Sequence, residues 1–91
     1  MEETIYTAPP RVDSNSAKSV EADLNGLLDS GAAKLVFDMA GMQYISSAGL
    51  RVLLSIQKKV NGSGSFVLRN VPQAVREILD VTGFSGLLVI E

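Results

Sequence analysis

Two adjacent serines, Ser46 and Ser47, occupy the start of the most periodic helical segment of the chain. A serine at a helix start ordinarily caps the helix, because its hydroxyl oxygen accepts a hydrogen bond from a backbone N–H group of the first turn. Ser46 fits this role, since it is the last residue before the helical pattern. Ser47 lies one residue later and shares the exposed sector of the helix with Arg51 and Lys58. We therefore expect its hydroxyl to face solvent.

The chemistry that suits an exposed serine at this place is phosphorylation. A phosphoserine carries about −1.5 to −2 charges at neutral pH, and the start of a helix stabilises an anion by about 0.3–1 kcal/mol. Arg51 follows four residues after Ser47, within reach of a charge-assisted contact. Ala48 and Gly49 are too small to shield the hydroxyl. Phosphorylation is thus expected to change the charge of a docking surface without unfolding the domain.

Two carboxylates and two methionines adjoin this segment. Asp38 ends a predicted strand, where it could be a metal ligand, a catalytic acid or an acceptor that holds the following loop. A metal site needs several carboxylates, and Asp13 is the one plausible neighbour, so loop-holding is favoured and contact with a partner comes second. Asp13, Ser14 and Ser16 are candidate caps of the next helix. Met39 and Met42 fit core filling and surface contact equally well.

Composition excludes several kinds of site. The chain contains no cysteine and no histidine, which excludes disulfides, Ser-His-Asp and Cys-His catalysis, and most zinc sites. A net charge of −2 argues against a nucleic-acid module, which would carry a basic patch. The glycines form no phosphate-binding loop, because Gly41 stands alone and residues 61–64, which are predicted to form a turn, follow a helix instead of preceding one. No cofactor and no metal are therefore expected.

Length and hydropathy predict one cytoplasmic domain. The 91 residues are enough for a single domain with one modest core. The apolar stretches are far shorter than the roughly 20 residues that span a bilayer. The acidic start, Met1-Glu2-Glu3, lacks the layout of a secretion signal. We expect no membrane insertion.

Strands and helices alternate along the chain. Runs of strand-forming residues predict strands at 4–8, 34–38, 65–69 and 87–90, and helical periodicity predicts helices at 16–28, 47–60 and 72–82. The β-α-β-α-β-α-β order predicts an α/β fold with a single-layer mixed, mostly parallel sheet of about four strands and amphipathic helices. The continuous apolar runs predict strands buried on both faces. Pro9-Pro10 leave the direction of the first strand open.

Each outer helix has an apolar stripe, and two glycines mark helix ends. The stripe of the first helix consists of Ala17, Val20, Leu24, Leu27 and Leu28. In the third helix, the residues predicted to face inward are Ala74, Val75, Ile78, Leu79 and Val81. Gly31 is a predicted left-handed cap, and Gly83 ends the third helix. In open α/β sheets function gathers beyond the carboxyl ends of the strands, which here precede the loops after Ala8, Asp38 and Arg69.

Several segments resemble the STAS domain family, and most closely its bacterial anti-sigma factor antagonists. The specific part is Tyr44-Ile45-Ser46-Ser47-Ala48-Gly49-Leu50-Arg51-Val52-Leu53-Leu54, which follows Leu35-Val36-Phe37-Asp38 after a spacer. Arg11-Val12-Asp13 resembles the family's loop before its first helix. Val71-Pro72-Gln73-Ala74-Val75 and Leu79-Asp80-Val81-Thr82-Gly83-Phe84 resemble its last helix and turn. The likeness spans nearly the whole chain and implies the STAS fold.

The resemblance implies partner switching by a protein that is not itself an enzyme. In the family, the serine that matches Ser47 is phosphorylated. The unphosphorylated domain binds an anti-sigma factor, a kinase of the ATP-binding GHKL type, and so frees a sigma factor. Phosphorylation ends the complex, and a PPM-type phosphatase resets it. Partner contacts are expected at Asp13, Ser14, Asp38, Met39, Met42, Ser46, Ala48, Gly49 and Arg51.

The chain departs from the family pattern at both ends. The family usually has one more strand before the first predicted strand, and it usually has a helix after the segment that ends at Ile90-Glu91. Residues 1–91 are therefore expected to form one STAS-like domain without those two elements. An edge strand exposed in this way favours self-association, so a homodimer is a further expectation.

Two other functions compete with the anti-sigma factor antagonist. One is a STAS subunit of an ABC-type lipid or solute transporter, which would hold an ATPase subunit by the same helix and need no phosphorylated serine. Co-purification of a transporter ATPase without a kinase would favour it. The other is an enzyme or a receiver-type phosphoacceptor at Asp38. Receivers need further acidic residues and a lysine that this chain lacks at the matching places, and treatment with small phosphodonors would test it.

Overall fold

The computed structural model describes residues 3–60 and 64–91. Its elements, in chain order, are β1 (Glu3–Thr7), β2 (Arg11–Val12), α1 (Ala17–Asp29), β3 (Lys34–Asp38), β4 (Tyr44–Ile45), α2 (Ser47–Val60), β5 (Ser65–Arg69), α3 (Gln73–Thr82), a 3-10 turn (Phe84–Gly86) and β6 (Val89–Ile90). The bounds predicted for β3, α2 and β5 are confirmed, and β1 and α1 are shifted by one residue. The turn predicted at 61–64 lies mostly outside the described residues. None of the described helices is both long and apolar enough to cross a bilayer.

The main sheet has four strands in the order β1-β3-β5-β6, and every neighbouring pair is parallel. This settles the direction of β1, which runs parallel to β3. Each crossover steps in the same direction across the sheet, so crossovers of the usual right hand place α1, α2 and α3 on one face. The fold is therefore a two-layer α/β arrangement, as the alternation of strands and helices predicts.

The core lies between the sheet and the three helices. The sheet contributes Leu35, Phe37, Phe66 and Leu68, and the helices contribute among others Val20, Leu24, Leu53, Ile56, Val75 and Leu79. The ring of Phe37 stacks on Tyr6 with centroids 5.7 Å apart and lies 6.2 Å from the ring of Phe66. Full burial of a leucine or phenylalanine contributes about 1.5–3 kcal/mol, so this layer dominates the stability of the domain.

The opposite face of the sheet is covered by long charged side chains. Val36 and Val67 are 0% and 5% exposed, yet they lie outside the core cluster beneath the helices. Arg69 contacts Glu3 at 2.8 Å and Glu91 at 2.7 Å, and Lys34 contacts the same two carboxylates at 3.1 Å. Glu3 and Lys34 start their strands, whereas Arg69 ends its own, so these ion pairs reach across the middle of the sheet. The predicted burial on both faces is confirmed, with ion pairs as the cover on one side.

A second, two-stranded sheet joins the two loops at the carboxyl edge of the main sheet. β2 and β4 pair in parallel, with Arg11 opposite Tyr44 and Val12 opposite Ile45. The backbone ladder continues at both ends, where Gln43 N–H donates to the Pro10 carbonyl at 2.7 Å and Ser46 N–H donates to the Val12 carbonyl at 2.8 Å. The sequence analysis treated both segments as loops, which was wrong. Each strand has only two residues, too few to show an alternating pattern.

The predicted inward face of α3 is too wide. Val75 and Leu79 are buried, but Ala74 and Ile78 are exposed and Val81 is 88% exposed. This helix touches the core along a single i, i+4 line, so the apolar residues beside that line remain in solvent. Its end agrees with the prediction, because Gly83 has a φ of 81°. Gly31, after α1, also takes the predicted left-handed conformation with a φ of 98°.

Candidate functional site

Ser46 caps α2 and ties its start to the small sheet. Its backbone N–H donates to the Val12 carbonyl at 2.8 Å, and its carbonyl accepts the Leu50 N–H at 3.0 Å. The Ser46 hydroxyl oxygen accepts a hydrogen bond from the Gly49 N–H at 3.2 Å. The capping role predicted for Ser46 is confirmed. One of the N–H groups left over at the helix start is thereby satisfied.

Gly49 allows α2 to pack closely on the small sheet. A Cβ atom at this position would lie 2.8 Å from side-chain carbons of both Val12 and Ile45. The residue is buried, so the predicted contact between Gly49 and a partner is wrong. Its lack of a side chain instead lets the first turn of α2 sit directly on β2 and β4. The capped end of α2 is therefore held in a fixed place.

Ser47 is the first residue of α2, and its side chain is exposed. Within residues 3–60 and 64–91, the Ser47 hydroxyl makes no hydrogen bond. The bond that caps α2 is made by Ser46 instead. Ala48 is half-buried and Arg51 is exposed on the same side of the helix. The first turn contains no acidic residue. A hydroxyl in this position is open to a reagent from solution and lies in the positive field of the helix start.

Asp13 caps α1 through a reciprocal pair of hydrogen bonds. Its Oδ1 accepts the N–H groups of Asn15 and Ser16, both at 2.9 Å, while its own N–H donates to the Ser16 hydroxyl oxygen at 2.9 Å. This is a capping box with serine in the returning position. The bond from the Ser16 N–H, supported by the Ser16 hydroxyl and the Asn15 N–H, holds the pKa of Asp13 below its ordinary value. The cap prediction is confirmed for Asp13. It is wrong for Ser16, whose side chain accepts no N–H group of α1, and Ser14 is exposed without a capping bond in the described part of the chain.

Asp38 holds the loop that leads to the serines. Its Oδ1 accepts the side-chain amide of Asn70 at 3.1 Å and the Ala40 N–H at 3.0 Å. The Asn70 bond, followed by the Ala40 bond, keeps the pKa of Asp38 below its usual value. The loop-holding interpretation is confirmed. Sequence reasoning missed Asn70, which joins the loops after β3 and β5 and has a φ of 56°. Its signal was an asparagine directly after a strand, because asparagine tolerates this left-handed conformation.

Met39 and Met42 fill the core beneath this loop. They are 0% and 3% exposed, so their predicted contact with a partner is wrong and the core-filling interpretation holds. The loop folds back through backbone hydrogen bonds, from Met39 N–H to the Arg69 carbonyl at 2.9 Å and from Met42 N–H to the Met39 carbonyl at 3.0 Å. Both side chains are thereby directed under the loop, where they support the segment that carries the serines.

One protein family matches almost the whole chain. A family model described as the STAS domain matches residues 2–91. The chain belongs to the STAS domain family. This chain is also similar to BtrV of Bordetella bronchiseptica, a protein that is provisionally named an anti-sigma factor antagonist. The two are 36% identical over 80 residues, which cover 87% of this chain and 69% of BtrV.

Solved structures share the fold at lower sequence identity. The anti-sigma factor antagonist SpoIIAA in its unphosphorylated form superposes with a TM-score of 0.81 at 15% identity, over 99% of this chain and 80% of SpoIIAA. A sulfate transporter family protein from Wolinella succinogenes superposes with a TM-score of 0.73 at 21% identity, over 97% of this chain and 75% of that protein. The STAS fold therefore occurs in proteins with different descriptions, and the fold alone does not select among them.

The fold brings together three of the residues predicted to contact a partner in this STAS domain, of which Ser14 and Arg51 are exposed and Ala48 is half-buried. Ser14, Ala48 and Arg51 line one groove of about 350 Å³ between the start of α1 and the first turns of α2. The pair formed by Arg11 and Tyr44 was missed by sequence reasoning. The Arg11 guanidinium lies 4.7 Å from the centroid of the Tyr44 ring, on the small sheet that carries the cap of α2. Arginine and tyrosine are among the residue types that most often anchor protein interfaces.

Proposed function

We propose that this STAS domain is an anti-sigma factor antagonist that is switched by phosphorylation of Ser47. The unphosphorylated domain binds an anti-sigma factor that is also a GHKL-type serine kinase. Phosphorylation of Ser47 ends that complex, and a PPM-type phosphatase restores the binding form. The names of BtrV and SpoIIAA support the antagonist role. The domain acts by binding and carries out no catalysis of its own.

The observation that carries the proposal is the separation of roles between the two serines. Ser46 makes the capping hydrogen bond, so Ser47 is exposed and its hydroxyl has no structural bond in the described part of the chain. A phosphoryl group on Ser47 therefore costs no packing and breaks no cap. It introduces about −1.5 to −2 charges at the surface that the partner contacts. Repulsion and desolvation of that charge would weaken a docked interface without unfolding the domain.

The proposed modification places definite demands on the kinase. The Ser47 oxygen attacks the γ-phosphorus of ATP, a new P–O bond forms, and the bond from that phosphorus to the β–γ bridging oxygen breaks as ADP leaves. The hydroxyl proton has to pass to a base. Among the described residues, the predicted site carboxylates Asp13 and Asp38 already accept hydrogen bonds from their own loops. We therefore expect the base to belong to the kinase.

Two substitutions test the switch. Ser47→Ala should fold, bind the kinase and never be released by ATP, because the acceptor oxygen is missing. Ser47→Asp should fold equally well but bind poorly, because it carries a permanent negative charge. The measurement is retention of a GHKL-type kinase from extracts of the native host on immobilised domain, with phosphosite mapping by mass spectrometry. Ser19→Asp is the matched control, since Ser19 is an exposed serine near the start of α1. If Ser47→Asp bound the kinase with wild-type affinity, the proposed switch would be refuted.

The transporter hypothesis keeps one supporting observation, the shared fold of the Wolinella succinogenes sulfate transporter family protein. A STAS subunit of an ABC-type transporter would bind an ATPase subunit through the same helix, and Ser47→Ala and Ser47→Asp would then behave alike. Recovery of a transporter ATPase without a kinase in the same affinity experiment would favour this second function over the switch.

A further inference from the structure

The charged residues on the outward surface of α2 are all cationic, although the chain as a whole is acidic. The helix spans Ser47–Val60 and contains no aspartate or glutamate. Its charged residues are Arg51, Lys58 and Lys59, and all three are exposed. The whole chain has a net charge of −2. Positive charge is thus concentrated on the one helix that begins at Ser47.

No described carboxylate forms a salt bridge with these cations, a property that they share with Arg11 and Lys18 but not with the cations of the main sheet and of α3. In the described ranges, Lys34 and Arg69 pair with Glu3 and Glu91, and Arg76 pairs with Asp80. Lys59 donates instead to the neutral side-chain oxygen of Asn25 at 2.5 Å. The described residues provide no salt bridge for Arg51 or Lys58. A cationic face without internal partners is available to an external anion.

The same three side chains line a groove with an apolar floor. It has a volume of about 530 Å³ and is lined by Arg51, Leu54, Ser55, Lys58 and Lys59. Leu54 is half-buried, and Ser55 is exposed. Arg51 also lines the neighbouring groove between α1 and α2, where Glu21 and Lys18 add one charge of each sign. An occupant that matches the larger groove therefore has an apolar side chain for Leu54 and carboxylates for the cations around it.

We infer that this groove receives an acidic, partly apolar segment of the partner protein. The inference rests on the proposed function and deepens it, because the segment belongs to the anti-sigma factor kinase. Ser47 lies one helical turn before Arg51. A phosphoryl group on Ser47 would place negative charge at the end of the groove, compete for Arg51 and repel the same acidic segment. The cationic groove thus explains why a single added phosphate can release the partner.

The first test uses a peptide in place of the unidentified partner. The probe is a peptide of about three helical turns in which Asp and Glu alternate with Leu, and a matched peptide with Lys replaces every acid. Amide chemical shifts measured by NMR should change at Arg51, Ser55 and Lys58 with the acidic peptide and stay unchanged with the basic one. Raising the salt concentration from about 50 mM to about 300 mM should weaken the binding, because screening acts on exposed charges.

Charge reversal makes the test specific to the groove. Lys58→Glu combined with Lys59→Glu should weaken the acidic peptide about tenfold or more, while Arg76→Glu on α3 serves as the control and should leave it unchanged. Unchanged binding in the double variant, or shifts elsewhere on the domain, overturns the inference. Reversal-sensitive binding to phosphatidylserine vesicles or a single-stranded oligonucleotide, but not to the peptide, also overturns it. Loss of the peptide in the double variant together with wild-type kinase binding by Ser47→Asp retains the groove and rejects the switch.

Discussion

The roles of Ser46 and Ser47 are separated by a single step of about 100° around the axis of α2. The first hydroxyl oxygen is turned toward the Gly49 N–H and completes the helix start. The second is turned to solvent. The two serines therefore contribute differently to the stability of the fold. Only Ser46 supplies an acceptor to a backbone N–H group of the first turn, which would otherwise have no partner within the helix. This separation allows a modification at Ser47 to leave the fold intact.

The first prediction at this scale compares the two serines directly. Ser46→Ala should lower the free energy of unfolding by about 0.5–2 kcal/mol, because the capping bond to the Gly49 N–H is lost. Ser47→Ala should change it by no more than about 0.5 kcal/mol, because an exposed side chain without partners is removed. Urea unfolding of both variants beside the wild type gives the comparison. Equal losses would show that Ser47 also has a structural role, which would weaken the case for a modification site.

Among the secondary-structure elements, the small sheet formed by β2 and β4 controls the position of α2. Val12 and Ile45 are buried beneath the first turn of the helix, and their side chains occupy the space that a larger residue at Gly49 would need. The helix start is thus fixed by a cap, a backbone hydrogen bond to Val12 and a close contact. A hydroxyl presented from so rigid a start has a defined position, which favours recognition by a partner that has to reach it.

A glycine pair tests this contact. Gly49→Ala would place a methyl group 2.8 Å from Val12 and Ile45, and such overpacking costs about 1–3 kcal/mol. Gly26→Ala is the matched control within α1, because no atom outside its own helix lies within 4 Å of the added methyl. That control should stabilise the domain by up to about 1 kcal/mol through higher helix propensity. Thermal unfolding of both variants decides the matter: if Gly49→Ala were as stable as Gly26→Ala, the close packing on the small sheet would be refuted.

The elements that the sequence predicts well are those with a strong local pattern. Continuous apolar runs locate β3 and β5, and an uninterrupted helical period locates α2. The two-residue strands were missed because their pairing joins positions 11–12 to 44–45, which no local pattern encodes. The exposed Val81 and Ile78 were misplaced because a helical stripe shows which residues are apolar, not how wide a strip the sheet can cover. Met39 and Met42 were undecided for the same reason, since only the folded loop reveals what lies above them.

At the scale of the whole molecule, the ion pairs on the open face connect the first and last strands of the sheet. Arg69 on β5 contacts Glu3 on β1 and Glu91 after β6, while Lys34 on β3 contacts the same two carboxylates. Two acids and two bases neutralise one another over Val36 and Val67. The outer strands, which have the fewest neighbours, are thus attached to the two central ones by contacts that depend on carboxylate ionisation.

This arrangement predicts how acid weakens the fold. Hydrogen bonds from Arg69 and then Lys34 lower the pKa of Glu3 from 4.5 to about 2, and the same two residues lower the pKa of Glu91. A carboxylate whose pKa is depressed by folding stabilises the native state above its unfolded pKa, and this contribution is lost as the pH falls toward the folded value. The melting temperature should therefore fall between about pH 5 and about pH 2. Glu3→Gln should flatten that fall, and salt should reduce it because the pairs are partly exposed.

Glu77→Gln on α3 is the control, since Glu77 belongs to none of the described ion pairs. A melting curve in which Glu3→Gln and Glu77→Gln share the wild-type pH dependence would show that the ion pairs over Val36 and Val67 do not hold the outer strands.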